Sequence, residues 1–339
     1  MKTTKLSGVD GVTAKPTLKT IAELTGLAVP TVSRALNDAP DIGMQTKKLV
    51  REVADKIGYV PNRAGVRLRT GRTQVISLII STEHEIMNHT ARMISSIAGA
   101  LRETPFHLNV TPYFPEDDPM KPVRHVVENG LADGIILNQI QPRDPRVQYL
   151  RDRAFPFATH GRTETPNAHP YFDFDNLAYG RIGTRKLLER GRRNIAVLAP
   201  PLDQTYAQHI VSGTRDIAEP AGATVRVIDG ATTNSPHDVI QSAVHEHLAI
   251  APNTDAIISS SASGAMVAVA ALEAEGRELG IEVDVVGKES LPILTLFRPR
   301  IIAVSENVTM AGAFLARAVL QAILHPEEPP MQGLDIPSG

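Results

Sequence analysis

The side chains best suited to contact a polyanion lie in one short predicted helix that contains PTVSRALND, residues 30–38. Short hydroxyl and amide groups suit phosphate oxygens, and an arginine suits the edge of a guanine in the DNA major groove. The positions expected to face outwards are Val29, Pro30, Thr31, Ser33, Arg34 and Asn37. A solvated helix face is the ordinary explanation for any single one of them, so the prediction rests on the set.

The segments around this helix predict a helix-turn-helix with a third, covering helix. Thr17 stands where an N-cap belongs before LKTIAELTG, and Gly26 ends that first helix. A third amphipathic segment, residues 44–58, presents its apolar residues on one face. Residues 1–16 lack apolar periodicity and are expected to form a disordered lead-in, which leaves a small all-α head at residues 17–61.

Charge is divided unevenly along the chain, which has 339 residues and a formal net charge of −2. Residues 1–71 hold 12 basic and 6 acidic residues, which leaves 23 basic and 31 acidic residues in the remainder. A basic head on an acidic body indicates that only the head contacts a polyanion such as DNA.

Composition excludes several classes of protein. With no cysteine, the chain has no disulfide scaffold, no thiolate metal site and no cysteine nucleophile. No apolar run reaches the roughly 18 residues of a transmembrane helix. The N-terminal residues also lack the apolar stretch of a signal peptide. We therefore expect a cytoplasmic protein without a membrane partner.

From residue 74 onwards, short apolar strands alternate with amphipathic segments. This alternation is typical of an α/β protein with doubly wound parallel sheets, and the number of strands suits two sheets, each forming one lobe. The predicted strands are residues 75–80, 107–113, 134–138, 155–160, 194–199, 224–228, 255–259, 283–287 and 301–305. The predicted lobes comprise residues 74–190 with 305–325, and residues 191–304, followed by an extended Pro-rich tail at 326–339.

Polar side chains follow most of these strands. In open α/β sheets, ligands bind beyond the carboxyl ends of the strands, and two facing lobes form a cleft there. The strand ends are rich in carboxylate, amide, hydroxyl and imidazole groups. Such groups suit a ligand with many hydroxyls, because each hydroxyl both donates and accepts. The polar runs are residues 81–89, 138–141, 159–163, 173–176, 200–209, 259–263, 287–290 and 305–307.

The sequence contains none of the motifs that indicate catalysis, nucleotide binding or metal binding. There is no G-x-G-x-x-G, no G-x-x-x-x-G-K-[ST] and no G-x-S-x-G. His160, His169 and His209 could be grouped with Glu83 and Asp173, but no H-x-x-x-H or H-x-x-E-H spacing supports a metal. We therefore expect no enzyme activity, no cofactor and no metal.

The run LKTIAELTGLAVPTVSRALND, together with IGYVPNRAGVRLRTGRT, resembles the DNA-binding head of the lactose-repressor (LacI/GalR) family of bacterial transcription factors. The family shares the TVSR-x-LN recognition helix, the GY-x-PN element and a hinge ending in LR-x-G-x-T. The match is nearly gapless over residues 17–73. The rest of the chain fits the family's effector-binding body, which is periplasmic-binding-protein-like, more loosely.

The resemblance assigns roles to residues of the head. Val29, Pro30 and Arg34 match base-reading positions of the family. Because the side chains of Val29 and Pro30 cannot donate hydrogen bonds, we expect Arg34 to carry more of the base discrimination. The phosphate-contacting positions of the family correspond to Thr17, Lys19, Thr31, Ser33 and Asn37.

The hinge at residues 62–73 is predicted to become ordered on DNA. Asn62 is a candidate cap for a short helix that is marginal in water, and Gly65, where the family usually has alanine, weakens it by about 1 kcal/mol. Leu68 matches the family's leucine wedge, which enters the minor groove and kinks the operator. A chance surface position or docking onto the body is the alternative for Leu68.

The resemblance also implies a set of effector-binding positions in the body. They are Asn88, His89, Asp175, Tyr206, His209, Glu289 and Glu306. The family's effector-binding arginine is replaced by Ile210, and a family acid is replaced by Ala262. Loss of a fixed cation disfavours a phosphorylated or anionic effector. For Asp175, helix capping is at least as strong an explanation as ligand contact.

Together these features predict a transcriptional regulator, specifically a repressor of sugar-utilisation genes that binds double-stranded operator DNA under the control of a small, sugar-like effector. The apolar segment 308–324 and the resemblance predict a homodimer. Two other classes stay open. A solute-binding protein for a sugar would need no basic head, and a sugar-modifying enzyme would need catalytic motifs that the sequence lacks.

Overall fold

The computed structural model describes residues 15–60, 71–82, 86–114, 116–165 and 169–337, with the backbone alone at residues 86–88. The chain separates into two compact units, Met1–Thr73 and Gln74–Gly339, which are called the head and the body below. Each unit is described by itself.

The head contains three helices, α1 (Leu18–Thr25), α2 (Val29–Leu36) and α3 (Met44–Lys56). A capping box begins α1: Thr17 Oγ1 accepts from the Thr20 amide at 3.3 Å, and Thr20 Oγ1 accepts from the Thr17 amide at 3.1 Å. The helix ends at Gly26, whose φ of 70° lies in the left-handed region that favours glycine.

One small core joins the three helices of the head. Ile21 from α1, Val32 and Ala35 from α2, and Val50 and Ala54 from α3 are all buried in it. None of these helices is long enough to be stable alone in water, so the shared core holds α2 in place. The predicted helix-turn-helix with a covering helix is confirmed.

Strands and helices alternate through the described body. The strands are β1 (Val75–Ser81), β2 (His107–Tyr113), β3 (Gly134–Leu137), β4 (Phe157–His160), β5 (Tyr171–Phe174), β6 (Asn194–Leu198), β7 (Thr224–Val227), β8 (Ala256–Ser259), β9 (Asp284–Glu289), β10 (Ile302–Ser305) and β11 (Gln332–Asp335). The helices are α4 (Ile86–Leu101), α5 (Met120–Glu128), α6 (Pro145–Asp152), α7 (Asn176–Glu189), α8 (Thr205–Ala218), α9 (His237–Ile250), α10 (Ala262–Ala274), α11 (Leu294–Phe297) and α12 (Val308–Leu324).

Two parallel sheets organise the body, as predicted. The first has the strand order β11-β5-β4-β3-β1-β2, and the second has the order β10-β9-β8-β6-β7. Apolar clusters lie on both faces of each sheet, under helices, which explains why strands such as VISLIIS read as continuous apolar runs. In the described part of the chain, no helix is both long and apolar enough to cross a membrane.

Helix α7 lies in the second lobe, so the first lobe ends before α7 rather than at residue 190. Tyr179 and Leu187 of α7 pack with the strands of the second sheet. Glycines let α7 and α8 approach closely: a Cβ at Gly180 would lie 2.5 Å from the carbonyl oxygen of Ile210. A Cβ at Gly213 would lie 2.2 Å from the carbonyl oxygen of Leu177. Strand alternation alone could not show this packing.

The C-terminal segment is part of the first lobe, not a separate tail. Strand β11 pairs in parallel with β5, and both strands were missing from the sequence prediction. Helix α12 packs onto the same sheet, where Val319 lies against Gly134 of β3 and leaves no room for a side chain there. The apolar character of this helix is therefore largely explained within one chain. The two connections between the lobes run from β5 to α7 and from β10 to α12.

Candidate DNA-reading helix and effector cleft

Helix α2 presents most of the predicted DNA-reading residues to solvent. Val29, Pro30, Arg34 and Asn37 are exposed, and their spacing places them on adjoining faces of the helix. Val32 and Ala35 of the same helix are buried in the core of the head, and their burial determines which faces of α2 point to solvent. Of the remaining predicted phosphate contacts, Thr31 and Ser33 are half-buried, whereas Thr17, the N-cap of α1, and Lys19, on α1, are exposed. Asn62, Gly65 and Leu68 lie outside the described residues.

Arg34 is held by an ion pair within the head. Its guanidinium contacts the carboxylate of Asp41, in the loop after α2, and the two side chains are about half exposed. Beside them, Asp38 binds Arg51 and Lys47 of α3. The hydrogen bond from Arg51 holds the pKa of Asp38 below its usual value. The end of α2 is therefore tied to α3, and the Arg34 guanidinium is engaged by Asp41.

A cleft of about 370 Å³ lies between the carboxyl ends of the two sheets. This is the position that parallel α/β sheets favour for ligands. The first lobe contributes side chains from the ends of β3, β4 and β5 and from α4. The second lobe contributes side chains from α7, α8, α9 and α10, from the ends of β8, β9 and β10, and from the loop after β7. The polar side chains among them include His89, Asn138, Gln139, His160, Asp173, Asn176, Tyr206, Thr233, Asn234, His237, Ser260, Ser261, Ser263, Lys288, Glu289 and Glu306.

Three polar atoms in the cleft wall have no hydrogen-bond partner among the described residues. They are Asn138 Oδ1, His160 Nε2 and Ser263 Oγ, each shielded by its surroundings. Buried polar atoms are nearly always hydrogen-bonded in folded proteins, because leaving one unpaired costs about 1–3 kcal/mol. These three side chains therefore carry hydrogen-bonding capacity that the described residues leave unused.

The carboxylate of Glu306 joins the two lobes at the base of the cleft. This buried side chain follows β10, and its Oε2 lies 3.1 Å from Lys288 Nζ of β9. Its Oε1 faces the first lobe, 3.4 Å from His89 Nε2 and 3.7 Å from His160 Nε2. Burial alone would raise the pKa of Glu306, but Lys288 and His89 outweigh it and hold that pKa well below its usual value.

Burial shifts the pKa values of two groups of the cleft wall in opposite directions, and in both it favours the uncharged form. It lowers the pKa of His160 to about 3, assisted by repulsion from His89. Burial also raises the pKa of Asp173 to about 7, although Arg162 Nε lies 3.3 Å from its carboxylate and acts the other way. At neutral pH, His160 is therefore uncharged and Asp173 is partly protonated, so both can serve as hydrogen-bond partners of a neutral ligand.

A buried arginine shapes one wall of the cleft. Arg146 Nη2 donates to the carbonyl oxygens of Asn138 at 3.1 Å and Gln139 at 2.8 Å. Its Nη2 also lies 2.7 Å from Asp144 Oδ2, which compensates the buried charge. Arg146 thus fixes the loop after β3, a role that no sequence motif indicated.

Only some of the predicted effector-binding residues line the cleft. His89, Tyr206, Glu289 and Glu306 line the cleft, although Glu289 also accepts a hydrogen bond from the Leu294 amide at 2.8 Å. The side chain of Asn88 lies outside the described residues.

Asp175 and His209, by contrast, are not among the cleft-lining residues. Asp175 Oδ1 caps α7 by accepting from the Ala178 amide at 2.9 Å, and His209 pairs with Glu164 at 3.5 Å. Sequence reasoning did not select Lys288 or Asn138 as ligand contacts, although both lie in strand-end runs that it had identified as polar.

Sequence comparisons agree with this division into head and body. Residues 17–62 match the family described as bacterial regulatory proteins, lacI family. Residues 75–336 match the periplasmic binding proteins and sugar binding domain of the LacI family. The chain belongs to the LacI family. It is accordingly a DNA-binding transcriptional regulator, as the recognition helix predicted.

Individual relatives of this LacI-family regulator match along almost its whole length. The transcriptional regulator AglR of Rhizobium meliloti is 29% identical over 94% of this chain and 90% of its own. A structure of the regulator CelR in complex with cellobiose is 26% identical, with a TM-score of 0.70 over 96% of this chain and 98% of that chain. The Lac repressor dimer bound to operator and an anti-inducer is 18% identical, and its TM-score of 0.81, over 96% of this chain and 97% of that chain, shows the shared fold.

Replacing Asp175 by alanine tests whether this residue is a cap in the LacI-family regulator. We expect the free energy of unfolding to fall by about 1 kcal/mol, because the Ala178 amide loses its acceptor. Asp175→Asn should keep the stability within a few tenths of a kcal/mol, since asparagine caps equally well. Urea unfolding measures both variants. A stable Asp175→Ala protein that no longer binds its effector would show instead that Asp175 contacts the ligand.

Replacing Asp41 by asparagine should strengthen DNA binding by this LacI-family regulator. The change releases Arg34 from its partner, and an exposed ion pair of this kind is worth about 0.2–1 kcal/mol, or roughly a 1.4- to 5-fold gain. Fluorescence anisotropy with labelled duplex DNA measures the gain. Asp55→Asn, at an exposed position on α3, is the charge-matched control. Equal gains in both variants would attribute the effect to net charge and not to Arg34.

Proposed function

We propose that this LacI-family protein represses sugar-utilisation genes and that a neutral sugar in the cleft controls its DNA binding. The observation that carries the proposal is the cleft between the two lobes, whose wall includes the amide, imidazole and hydroxyl side chains of Asn138, His160 and Ser263. An amide oxygen accepts, a serine hydroxyl donates and accepts, and a neutral imidazole nitrogen does either. Sugar hydroxyls complement all three, because each hydroxyl can act as donor and acceptor.

The charges of the cleft favour an uncharged sugar over a sugar phosphate. Lys288 is a cation of the cleft wall, and Glu306 already neutralises it at 3.1 Å. The family's effector-binding arginine corresponds to Ile210, which is buried in the core of the second lobe. A phosphate would have to break the Lys288–Glu306 pair and would then face the carboxylate of Glu306. The cellobiose bound to the related CelR is an uncharged sugar and is consistent with this choice.

A sugar in the cleft would contact both lobes, and it would thereby control DNA binding through the arrangement of the lobes. Beside the cleft, the Thr205 amide donates to the Ile140 carbonyl at 2.8 Å, and Gln141 Nε2 donates to Asp203 Oδ2 at 2.7 Å. A sugar that bridges the lobes stabilises the arrangement in which these contacts form. It changes DNA affinity to the extent that it binds the DNA-competent and DNA-incompetent arrangements differently.

On the DNA side, we infer that the protein acts in the cytoplasm as a homodimer whose two heads bind a near-palindromic operator. Arg34 reads bases, and Thr17, Lys19, Thr31, Ser33 and Asn37 contact phosphates. The hinge residues Asn62 and Gly65 form a short helix on DNA, and Leu68 enters the minor groove at the operator centre. The protein has no catalytic role in this proposal.

Calorimetric titration with neutral mono- and disaccharides, and with their phosphates, tests the sugar assignment. We expect at least one neutral sugar to bind and its phosphate to bind at least tenfold more weakly. Ser263→Ala should weaken binding of that sugar by roughly tenfold, the equivalent of one hydrogen bond. Ser242→Ala, at an exposed position on α9, is the matched control and should leave the affinity unchanged. Tighter binding of the phosphates would contradict the proposal.

A further inference from the structure

We propose that His89, His160 and Glu306 form a binding site for one divalent transition-metal ion of the zinc class, open towards the cleft. The three side chains come from α4, the end of β4 and the residue after β10, so no sequence spacing revealed them. One ring nitrogen of His89, one of His160 and a Glu306 carboxylate oxygen all lie within 4.8 Å of one another. Two imidazoles and one carboxylate are a ligand set that zinc accepts, with the fourth position left for water or a ligand.

The distances from Glu306 to the two histidines suit such an ion. With metal–ligand bonds of about 2.0–2.1 Å, two ligands of a tetrahedral ion are about 3.4 Å apart. Glu306 Oε1 lies 3.4 Å from His89 Nε2 and 3.7 Å from His160 Nε2. The two histidine nitrogens lie within 4.8 Å of each other, so modest side-chain shifts bring all three atoms to bonding distance of one ion.

The positions of the ligand atoms also suit a metal. His160 Nε2 has no hydrogen-bond partner among the described residues. Glu306 presents Oε1 to both imidazoles. Imidazole nitrogens and carboxylate oxygens are both ordinary ligands of zinc.

Lys288 is expected to weaken the binding of a metal ion at this site. Its ammonium lies 3.1 Å from Glu306 Oε2, which leaves Oε1 as the single oxygen for an ion and adds a like charge nearby. Repulsion between two cations in a partly buried site is substantial. Removing this cation should therefore strengthen metal binding. We expect Lys288→Met to bind the ion at least tenfold more tightly than the unaltered protein.

Titration of the full chain, without an added histidine tag and after dialysis against EDTA, tests the site with Co²⁺ and Zn²⁺ alone. We expect one equivalent of Co²⁺ with the visible absorption of a tetrahedral complex, displaced by one equivalent of Zn²⁺. His89→Gln and His160→Gln should each weaken binding at least tenfold. His245→Gln removes a histidine that also pairs with a carboxylate, Glu275 at 2.7 Å, and should have no effect.

Several results would overturn the metal site. They are an absence of Co²⁺ binding, binding that persists in the double variant His89→Gln/His160→Gln, and weaker or unchanged binding in Lys288→Met. Persistence in the double variant would indicate another site, such as the exposed group His325, Glu327 and Glu328. Circular dichroism confirms that each variant is folded. Sugar titration in the presence of EDTA is a separate readout, so failure of the metal site and failure of the sugar proposal are distinguishable.

Discussion

Replacing Arg34 by alanine is expected to weaken binding to the specific operator by roughly 5- to 160-fold, the 1–3 kcal/mol that a good arginine–guanine contact contributes. Binding to unrelated DNA should change little, because the phosphate contacts of the head stay in place. The expectation rests on α2, where Arg34 is the exposed residue with the most hydrogen-bond donors and its neighbours Val29 and Pro30 have none in their side chains. Affinities for a selected operator and a scrambled duplex, measured at the same salt concentration, give the two losses.

Lys19→Ala is the matched control for Arg34→Ala, since it also removes one cation from the head. We expect it to weaken binding to both duplexes alike and to reduce the salt dependence by about one ion. Lys19 makes only a 3.9 Å pair with Glu23 on the exposed side of α1, so its loss should not disturb the fold. Equal losses on both duplexes for Arg34→Ala would contradict its role in base reading.

Replacing Glu306 by alanine is expected to lower the free energy of unfolding by about 3 kcal/mol, because it leaves the ammonium of Lys288, whose side chain is only 13% exposed, without its carboxylate. The same variant should lose the effector response, since Glu306 lies where the two lobes meet the cleft. Urea unfolding measures the stability, and DNA binding with and without sugar measures the response. The double variant Glu306→Ala/Lys288→Met should recover most of the stability, because the unpaired charge is then removed as well.

A surface ion pair provides the comparison for Glu306. Glu273 lies 2.9 Å from Arg298, and both side chains are about two-fifths exposed. Glu273→Ala should cost less than about 1 kcal/mol, the usual value for an exposed pair. If Glu306→Ala cost no more than Glu273→Ala, the Lys288–Glu306 pair would not be the buried bridge that the geometry indicates.

The head was the part most readily predicted from sequence, because its signals are local. The Thr17 cap, the left-handed Gly26 and the spacing of Val32 and Ala35 act within one or two helical turns. The parallel sheets of the body were also predicted, since strands covered on both faces read as apolar runs. Strands β5 and β11 were missed because YFDF and QGLD are short and carry polar residues, and their pairing joins segments far apart in the chain.

The cleft could be predicted as a region but not residue by residue. Strand-end runs correctly pointed to Asn138, Lys288 and Glu306, since parallel strands bring their carboxyl ends together. Which side chains meet depends on the packing of the lobes, which sequence spacing does not encode. Glu306 and Lys288 pair across neighbouring strands, and His89 and His160 reach the same carboxylate from the other lobe.

Sequencing the genomic fragments retained by the purified protein, with and without a panel of neutral sugars, tests the central claim most directly. We expect an enriched near-palindrome with a flexible pyrimidine–purine step at its centre, close to genes for sugar utilisation, and at least one sugar that changes its retention. Retention without sequence enrichment at modest salt, by a folded protein, would contradict sequence-specific regulation. An enriched site whose retention no neutral sugar alters would contradict the assignment of the cleft.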